Sequence, residues 1–186
     1  MLEDFYRSQG FEVVSPETLP LGDQISLLAG AKEIASTAGT LSHMVLFCQE
    51  GIRQHVVLRH YTSLGLDGQW AMSRLRCSDL NIVDTNIALL PGSRWAGVTY
   101  HAATEHWRDY VRHVFGQDVA VVRPEAYAVD FIGEWVDMVS TVSERDLSFL
   151  PKWSMADLIA SLSKHLLDRE LESPARDRIA KHFDTR

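Results

Sequence analysis

Residues 10–51 constrain the fold of this chain more than any other part of the sequence. Residues 11–14 (FEVV) are a short apolar run between Gly10 and a Ser-Pro pair, which predicts a buried strand. Apolar residues then recur at helical spacing over residues 21–28, and residues 33–36 predict a second strand. A glycine turn follows, and residues 41–48 predict a mostly buried helix. This order of elements is typical of one half of a Rossmann-like α/β fold.

A third strand is expected over residues 55–58 (HVVL), and strand-like runs recur around Ile82. Strands that alternate with helices pair in parallel through right-handed crossovers. From residue 125 onward the pattern becomes helical, with an apolar stripe between Met155 and Leu166. We therefore predict an α/β chain with a Rossmann-like parallel sheet over residues 1–124. A helical C-terminal region over residues 125–186 is expected to pack on it.

Charge and composition argue against several classes of protein. The formal net charge of −7 disfavours a nucleic-acid binder, which needs a basic face to neutralise phosphates. No apolar run approaches the roughly 18 residues of a membrane span, and the acidic N-terminus is unlike a signal peptide, so we expect a cytoplasmic location. Cys48 and Cys77 form no paired motif, which argues against a disulfide framework or a zinc site. Cys48 lies in an apolar run and is expected to be buried.

The glycine turn after the second predicted strand is the candidate binding site. It reads Ser36-Thr37-Ala38-Gly39-Thr40 and ends at a predicted helix N-terminus. Free backbone N–H groups and the helix dipole favour an anion there. Glycine tolerates positive φ and lets the backbone approach a diphosphate closely. The turn hydroxyls have two interpretations, because they either cap the helix or donate to phosphate oxygens.

Side chains beyond the turn extend this site. Ser42 and His43 lie in the first turn of the predicted helix, and His43 is either a partly buried, hydrogen-bonded histidine or a donor to a leaving diphosphate. Arg59 and His60 are expected near the C-terminal end of the third strand, where α/β sheets bind ligands. An arginine there either contacts phosphate or is an ordinary surface charge. The predicted donor-binding residues are Ser36, Thr37, Gly39, Thr40, Ser42, His43 and Arg59. We identify no catalytic base, metal site or cofactor.

Over residues 10–51 the sequence resembles the catalytic region of family 61 glycosyltransferases, often labelled capsular polysaccharide biosynthesis proteins. The order and spacing of these residues carry the resemblance, which covers roughly a quarter of the chain. The matching residues are Gly10, Phe11, Glu12, Val13, Val14, Pro16, Glu17, Leu19, Leu21, Gln24, Ile25, Leu28, Ala31, Lys32, Gly39, Ser42, His43, Leu46, Phe47 and Gly51.

The resemblance implies an inverting enzyme of the GT-B type that lacks a catalytic metal. In such enzymes the C-terminal Rossmann-like half binds a nucleotide-sugar donor, and the N-terminal half binds the glycan acceptor and usually carries the base. This chain corresponds to the donor half, so a second subunit is expected to supply the acceptor half. Two alternatives stay open: a non-catalytic or truncated α/β module that serves as a partner subunit, and an unrelated nucleotide-binding protein with a similar glycine turn.

Overall fold

The fold is described from a computed structural model that covers residues 1–59, 66–87, 90, 100–122, 127–141, 154, 156–158, 160, 177 and 180. The chain divides into two compact units, Met1–Asn86 with Glu105–Val119, and Ile87–Thr104 with Ala120–Arg186. The elements of the first unit are α1 (Leu2–Ser8), α2 (Leu21–Gly30), β1 (Glu33–Thr37), α3 (Thr40–His43), β2 (Ile52–Val57), α4 (Leu66–Arg74), β3 (Cys77–Val83) and α5 (Glu105–Phe115).

The three strands of the first unit form a parallel sheet in the order β1-β2-β3. Ala35 of β1 lies beside His55 of β2, and His55 lies beside Asn81 of β3. The central strand β2 is buried at every residue except Arg53. This arrangement confirms the predicted α/β class with a parallel sheet.

Different helices pack on the two faces of this sheet. On one face Ile34 and Ile52 pack with apolar residues of the α2, α3 and α4 region, among them Leu28, Ala31, Val45, Cys48 and Met72. His55 points to the opposite face, because side chains alternate along a strand. It lies there among the aromatic rings of α1 and α5, which are those of Tyr6, Tyr110 and Phe115. Cys48 is buried in the core, as predicted.

The strand predicted over residues 11–14 is wrong, since this segment has no regular secondary structure. Gly10 has φ +89°, and the Phe11 N–H donates to the Tyr6 carbonyl oxygen (3.0 Å). The Phe11 ring packs against the rings of Tyr6 and His55, so the run serves the aromatic cluster rather than a strand pair. The third strand of the sheet is instead β3, whose polar residues weakened its signal in the sequence.

The helix predicted over residues 41–48 is shorter than expected. It divides into the four-residue α3 and a 3₁₀ turn at Met44–Phe47. Only every third residue is buried, namely Ser42, Val45 and Cys48. That period is typical of 3₁₀ geometry, in which residues three apart eclipse each other. The expectation of a mostly buried helix is therefore wrong, and the large side chains left exposed are Leu41, Leu46 and Phe47.

The second unit contains β5 (Tyr100–His101), which pairs with β4 (Asn86–Ile87) in a two-stranded sheet, and α6 (Ala128–Thr141). Helix α6 buries one stripe at i, i+3, i+4 and i+7 spacing, formed by Ala128, Phe131, Ile132 and Trp135. Of the predicted stripe from Met155 to Leu166, the structure describes only part, including the buried Leu158. The boundary near residue 124 stays a prediction. Within the described residues no helix is long and apolar enough to cross a membrane.

Candidate functional site

The glycine turn lies at the carboxyl end of the sheet, as the sequence predicted. Strand β1 ends at Thr37, and the next amide, Ala38 N–H, donates to the Val57 carbonyl oxygen at the end of β2 (2.7 Å). Gly39 then adopts φ +128° and ψ −158°, and α3 begins at Thr40. This backbone region is essentially restricted to glycine, so the turn depends on Gly39.

The structure brings Arg59 to this turn. Arg59 follows β2 by two residues, and its Nη1 lies 3.9 Å from the position that a Cβ on Gly39 would occupy. Asn86 Nδ2 donates to the Arg59 carbonyl oxygen (2.6 Å), which ties this part of the backbone to the chain after β3. A guanidinium and a glycine backbone therefore share one face of the turn. His60 lies outside the described residues.

Ser42 supports the turn from inside the fold. Its side chain is fully buried, and its Oγ accepts a hydrogen bond from the Gly39 N–H (3.1 Å). The same hydroxyl lies within hydrogen-bond distance of the Gly39 carbonyl oxygen (2.7 Å) and of Gln69 Oε1. Of the two sequence interpretations of Ser42, the structure therefore favours capping over contact with a ligand.

A buried amide and hydroxyl network continues from Ser42 into the sheet. Gln54 Nε2 donates to the Ser42 carbonyl oxygen (2.8 Å), and Gln69 Nε2 donates to Ser73 Oγ (2.9 Å). Ser73 Oγ in turn donates to Gln54 Oε1 (2.6 Å). Sequence reasoning missed this network, because the neighbours of Gln54 along the strand are polar and give no sign of a buried amide. The network holds α3 against β2 and α4, and so fixes the position of Gly39.

The remaining predicted residues surround the turn at different depths. Ser36 Oγ is buried and has no hydrogen-bond partner among the described residues. Thr37 and Thr40 are exposed and His43 is half-buried, with its N–H directed to the Gly39 carbonyl oxygen (3.3 Å). Because α3 is a single turn, its dipole is small, and among the described residues Arg59 brings a positive charge to the turn.

A second polar cluster lies under the aromatic rings of α1 and α5, and sequence reasoning missed it. His55 is fully buried, with Nε2 2.7 Å from Glu33 Oε1 and Nδ1 2.9 Å from the Tyr110 hydroxyl. The Tyr110 hydroxyl is also 2.9 Å from that of Tyr6. Arg53 reaches the same Glu33 oxygen at 3.5 Å. Four residues from four elements thus form one continuous hydrogen-bond chain.

Burial decides which atoms carry the protons in this hydrogen-bond chain. It lowers the pKa of His55, and this effect outweighs the opposing influence of the Glu33 hydrogen bond. Neutral His55 therefore donates from Nε2 to the Glu33 carboxylate and accepts at Nδ1 from Tyr110. Tyr6 then donates to the Tyr110 oxygen. Burial also raises the pKa of Tyr6 to about 12 and that of Tyr110 further, so both phenols stay protonated.

A cavity of about 740 Å³ runs along β1, on the side away from β2. Every residue from Gly30 to Ser36 lines it, together with parts of α2 and of the loop before α2. It reaches Ser36 and Leu41 at the end near the glycine turn, but Gly39 and Arg59 do not line it. The cavity and the glycine turn are therefore neighbouring but separate features.

Within the described residues no three His, Cys, Asp or Glu side chains come together in a way that could hold a metal ion. No known protein family, curated protein or solved structure matches this chain. The resemblance to family 61 glycosyltransferases and the donor-binding roles that it implies therefore stay predictions.

Proposed function

We propose that this chain binds the diphosphate of a nucleotide-sugar at the Gly39 turn and acts as the donor half of a glycosyltransferase of the GT-B type. The observation that supports this most directly is the place of Arg59, with Nη1 3.9 Å from the Cβ position of Gly39 at the carboxyl end of a parallel sheet. Ligands of open α/β sheets collect at that end.

The chemistry of the turn suits a diphosphate. Gly39 presents bare backbone, so a phosphate oxygen can approach without meeting a side chain. Among the described residues, the N–H groups of Thr40 and Leu41 have no acceptor and are available as donors. Arg59 adds a charged fork that matches two phosphate oxygens. In a chain of net charge −7, this local cation is needed to attract an anion.

Transfer of the sugar needs groups that the Gly39 turn does not offer. The turn and α3, residues 36–43, contain no carboxylate that could remove a proton from an acceptor hydroxyl, and His43 is their one imidazole able to donate to a leaving diphosphate. The acceptor glycan and the catalytic base therefore belong to a second half, which a partner subunit supplies. On this proposal the isolated chain binds the donor without transferring it.

Titration calorimetry with uridine and guanosine diphosphates tests donor binding. We expect Arg59→Ala to weaken binding about ten- to a hundredfold, since a charge-assisted contact contributes roughly 1.5–3 kcal/mol. Arg53→Ala is the matched control, because Arg53 lies at the opposite end of the same strand and should leave affinity unchanged.

The result against the proposal is equally specific. A well-folded wild-type chain that binds neither diphosphate at millimolar concentration lacks a donor site. The interpretation as a non-catalytic α/β module would then take its place. Equal losses of affinity in Arg59→Ala and Arg53→Ala would place any binding away from the glycine turn.

A further inference from the structure

Strand β1 is an outer strand of the parallel sheet, and main-chain groups on its free side have no partner among the described residues. The Ala38 N–H at the end of β1 donates to the Val57 carbonyl oxygen of β2 (2.7 Å), so even-numbered residues of this stretch direct their main-chain groups toward β2. Residues alternate in this respect along a parallel strand, so the N–H and C=O groups of Glu33 and Ala35 point outward. Within the part of the chain that the structure describes, β1 pairs with β2 alone, and these four groups are free to pair with another strand.

The cavity of about 740 Å³ passes along this free edge and touches both faces of the sheet. Glu33 lies on the face that carries the aromatic rings, because its carboxylate contacts His55, and the Phe11 ring contacts His55 on the same face. Ile34 packs near Leu28 on the other face. Glu33, Phe11, Ile34 and Leu28 all line the cavity. Because β2 covers the opposite edge of β1, a cavity that reaches both faces has to pass the free edge.

The size and lining of the cavity suit an extended apolar segment. Five residues of extended chain, with their side chains, occupy about 16.5 Å by 4.8 Å by 10 Å, or roughly 790 Å³. Further apolar side chains line the cavity, namely Val14, Pro16, Leu27, Ala31, Leu41 and Met44. Proteins commonly protect a free strand edge with charged residues or proline, but residues 34–37 (IAST) contain neither. The edge is therefore open to an added strand whose side chains are apolar on both faces.

We infer that the free edge of β1 binds an extended apolar segment of a partner protein, about five residues long, as a fourth strand of the sheet. Main-chain hydrogen bonds to Glu33 and Ala35 hold the segment, and its alternate side chains enter the lining on the two faces. The cavity has the volume of one strand, so it suits a single segment rather than the edge of a second copy of this sheet. Gly39 does not line the cavity, so this site is independent of donor binding at the glycine turn.

Fluorescence anisotropy with a fluorescein-labelled peptide of sequence KVIVIVK tests this site. We expect the full chain to bind it with a Kd below about 100 μM. A peptide that is N-methylated at alternate residues keeps one edge of main-chain donors and should bind within about threefold of the unmodified peptide. A peptide that is N-methylated at all five apolar residues has no such edge and should bind at least about tenfold more weakly. Failure of the unmodified peptide to bind, or equal affinities of the two methylated peptides, would overturn the inference.

Two variants of α2 place the bound peptide in the cavity. Leu27 and Leu21 are both exposed residues of this helix, but of the two only Leu27 lines the cavity. Leu27→Glu should weaken peptide binding at least about tenfold, and Leu21→Glu, the matched control, should leave it unchanged. Equal effects of the two variants would show that the peptide binds elsewhere.

Amide hydrogen exchange followed by NMR identifies the edge that the peptide pairs with. Saturating peptide should slow exchange of the outward Ala35 amide at least about tenfold and leave that of Val56, inside the sheet, unchanged. An Ala35 amide that exchanges equally fast with and without peptide contradicts the fourth strand. Loss of protection at Val56 in Leu27→Glu would report unfolding of that variant, and the methylated peptides and Ala35 exchange in the wild type then decide.

Discussion

The buried hydrogen-bond chain from Tyr6 to Glu33 makes a quantitative prediction about stability. The Tyr110 hydroxyl is the link that makes two bonds, one to Tyr6 and one to His55 Nδ1, each 2.9 Å long. Tyr110→Phe removes this oxygen and keeps the ring, so it opens no large cavity. Tyr6→Phe removes only the terminal donor, and Tyr110 can still donate to His55.

The expected losses follow from the bonds that each variant breaks. Tyr110→Phe loses two hydrogen bonds at about 0.5–1.5 kcal/mol each, and it leaves a fully buried imidazole nitrogen without a donor, which raises the total to about 2–4 kcal/mol. Tyr6→Phe loses one bond and should cost about 0.5–1.5 kcal/mol. The double variant should cost less than the sum, because both single variants break the same Tyr6–Tyr110 bond.

Urea unfolding followed by near-ultraviolet circular dichroism measures these differences, since Tyr6 and Tyr110 lie in a cluster of aromatic rings. The reasoning requires that Tyr110→Phe cost more than Tyr6→Phe. The hydrogen-bond chain does not run from Tyr6 through Tyr110 to His55 if Tyr6→Phe lowers the free energy of unfolding more than Tyr110→Phe does. The same conclusion follows if the two losses add fully in the double variant.

Three further predictions concern pH, the glycine turn and the thiols. Burial lowers the pKa of His55 in the folded chain, so below about pH 6.5 the unfolded chain binds a proton that the folded chain does not. The free energy of unfolding should therefore be constant with respect to this group above about pH 6.5 and fall below it by at most about 1.4 kcal/mol per pH unit. Urea melts should show this slope in the wild type and not in His55→Asn. Gly39→Ala should lower the free energy of unfolding by about 1–3 kcal/mol, because alanine is strained at this backbone conformation. A Cβ at residue 39 would lie 3.9 Å from Arg59 Nη1, which is an ordinary contact distance, so the loss does not come from a clash with Arg59. Thermal melts should therefore show that adding Arg59→Ala does not restore the stability of Gly39→Ala. Burial raises the pKa of Cys48 to about 11 and also raises the pKa of the less buried Cys77. Iodoacetamide at pH 8 should therefore modify Cys77 before Cys48, and it should modify both thiols slowly until urea unfolds the chain.

Local sequence patterns were sufficient to predict the α/β class, helix α2 and the place of the glycine turn. Helical spacing of apolar residues and the special φ of Gly39 are properties of a few neighbouring residues, so they can be read before any long-range contact is known. The end-of-strand rule also brought Arg59 to the turn correctly, because all strands of a parallel sheet end at the same edge.

Long-range packing decided what local patterns could not. Residues 11–14 have the apolar character of a strand, yet the Phe11 ring contacts Tyr6 and His55, and both contacts depend on how α1 packs on the sheet. The partners of His55 come from positions 22 and 55 residues away, a separation that no periodicity in the sequence reveals. The sequence by itself therefore determined the type of sheet and its turn, because these depend on neighbouring residues. The tertiary structure alone determined which polar side chains are buried together, because their partners meet only when the layers pack.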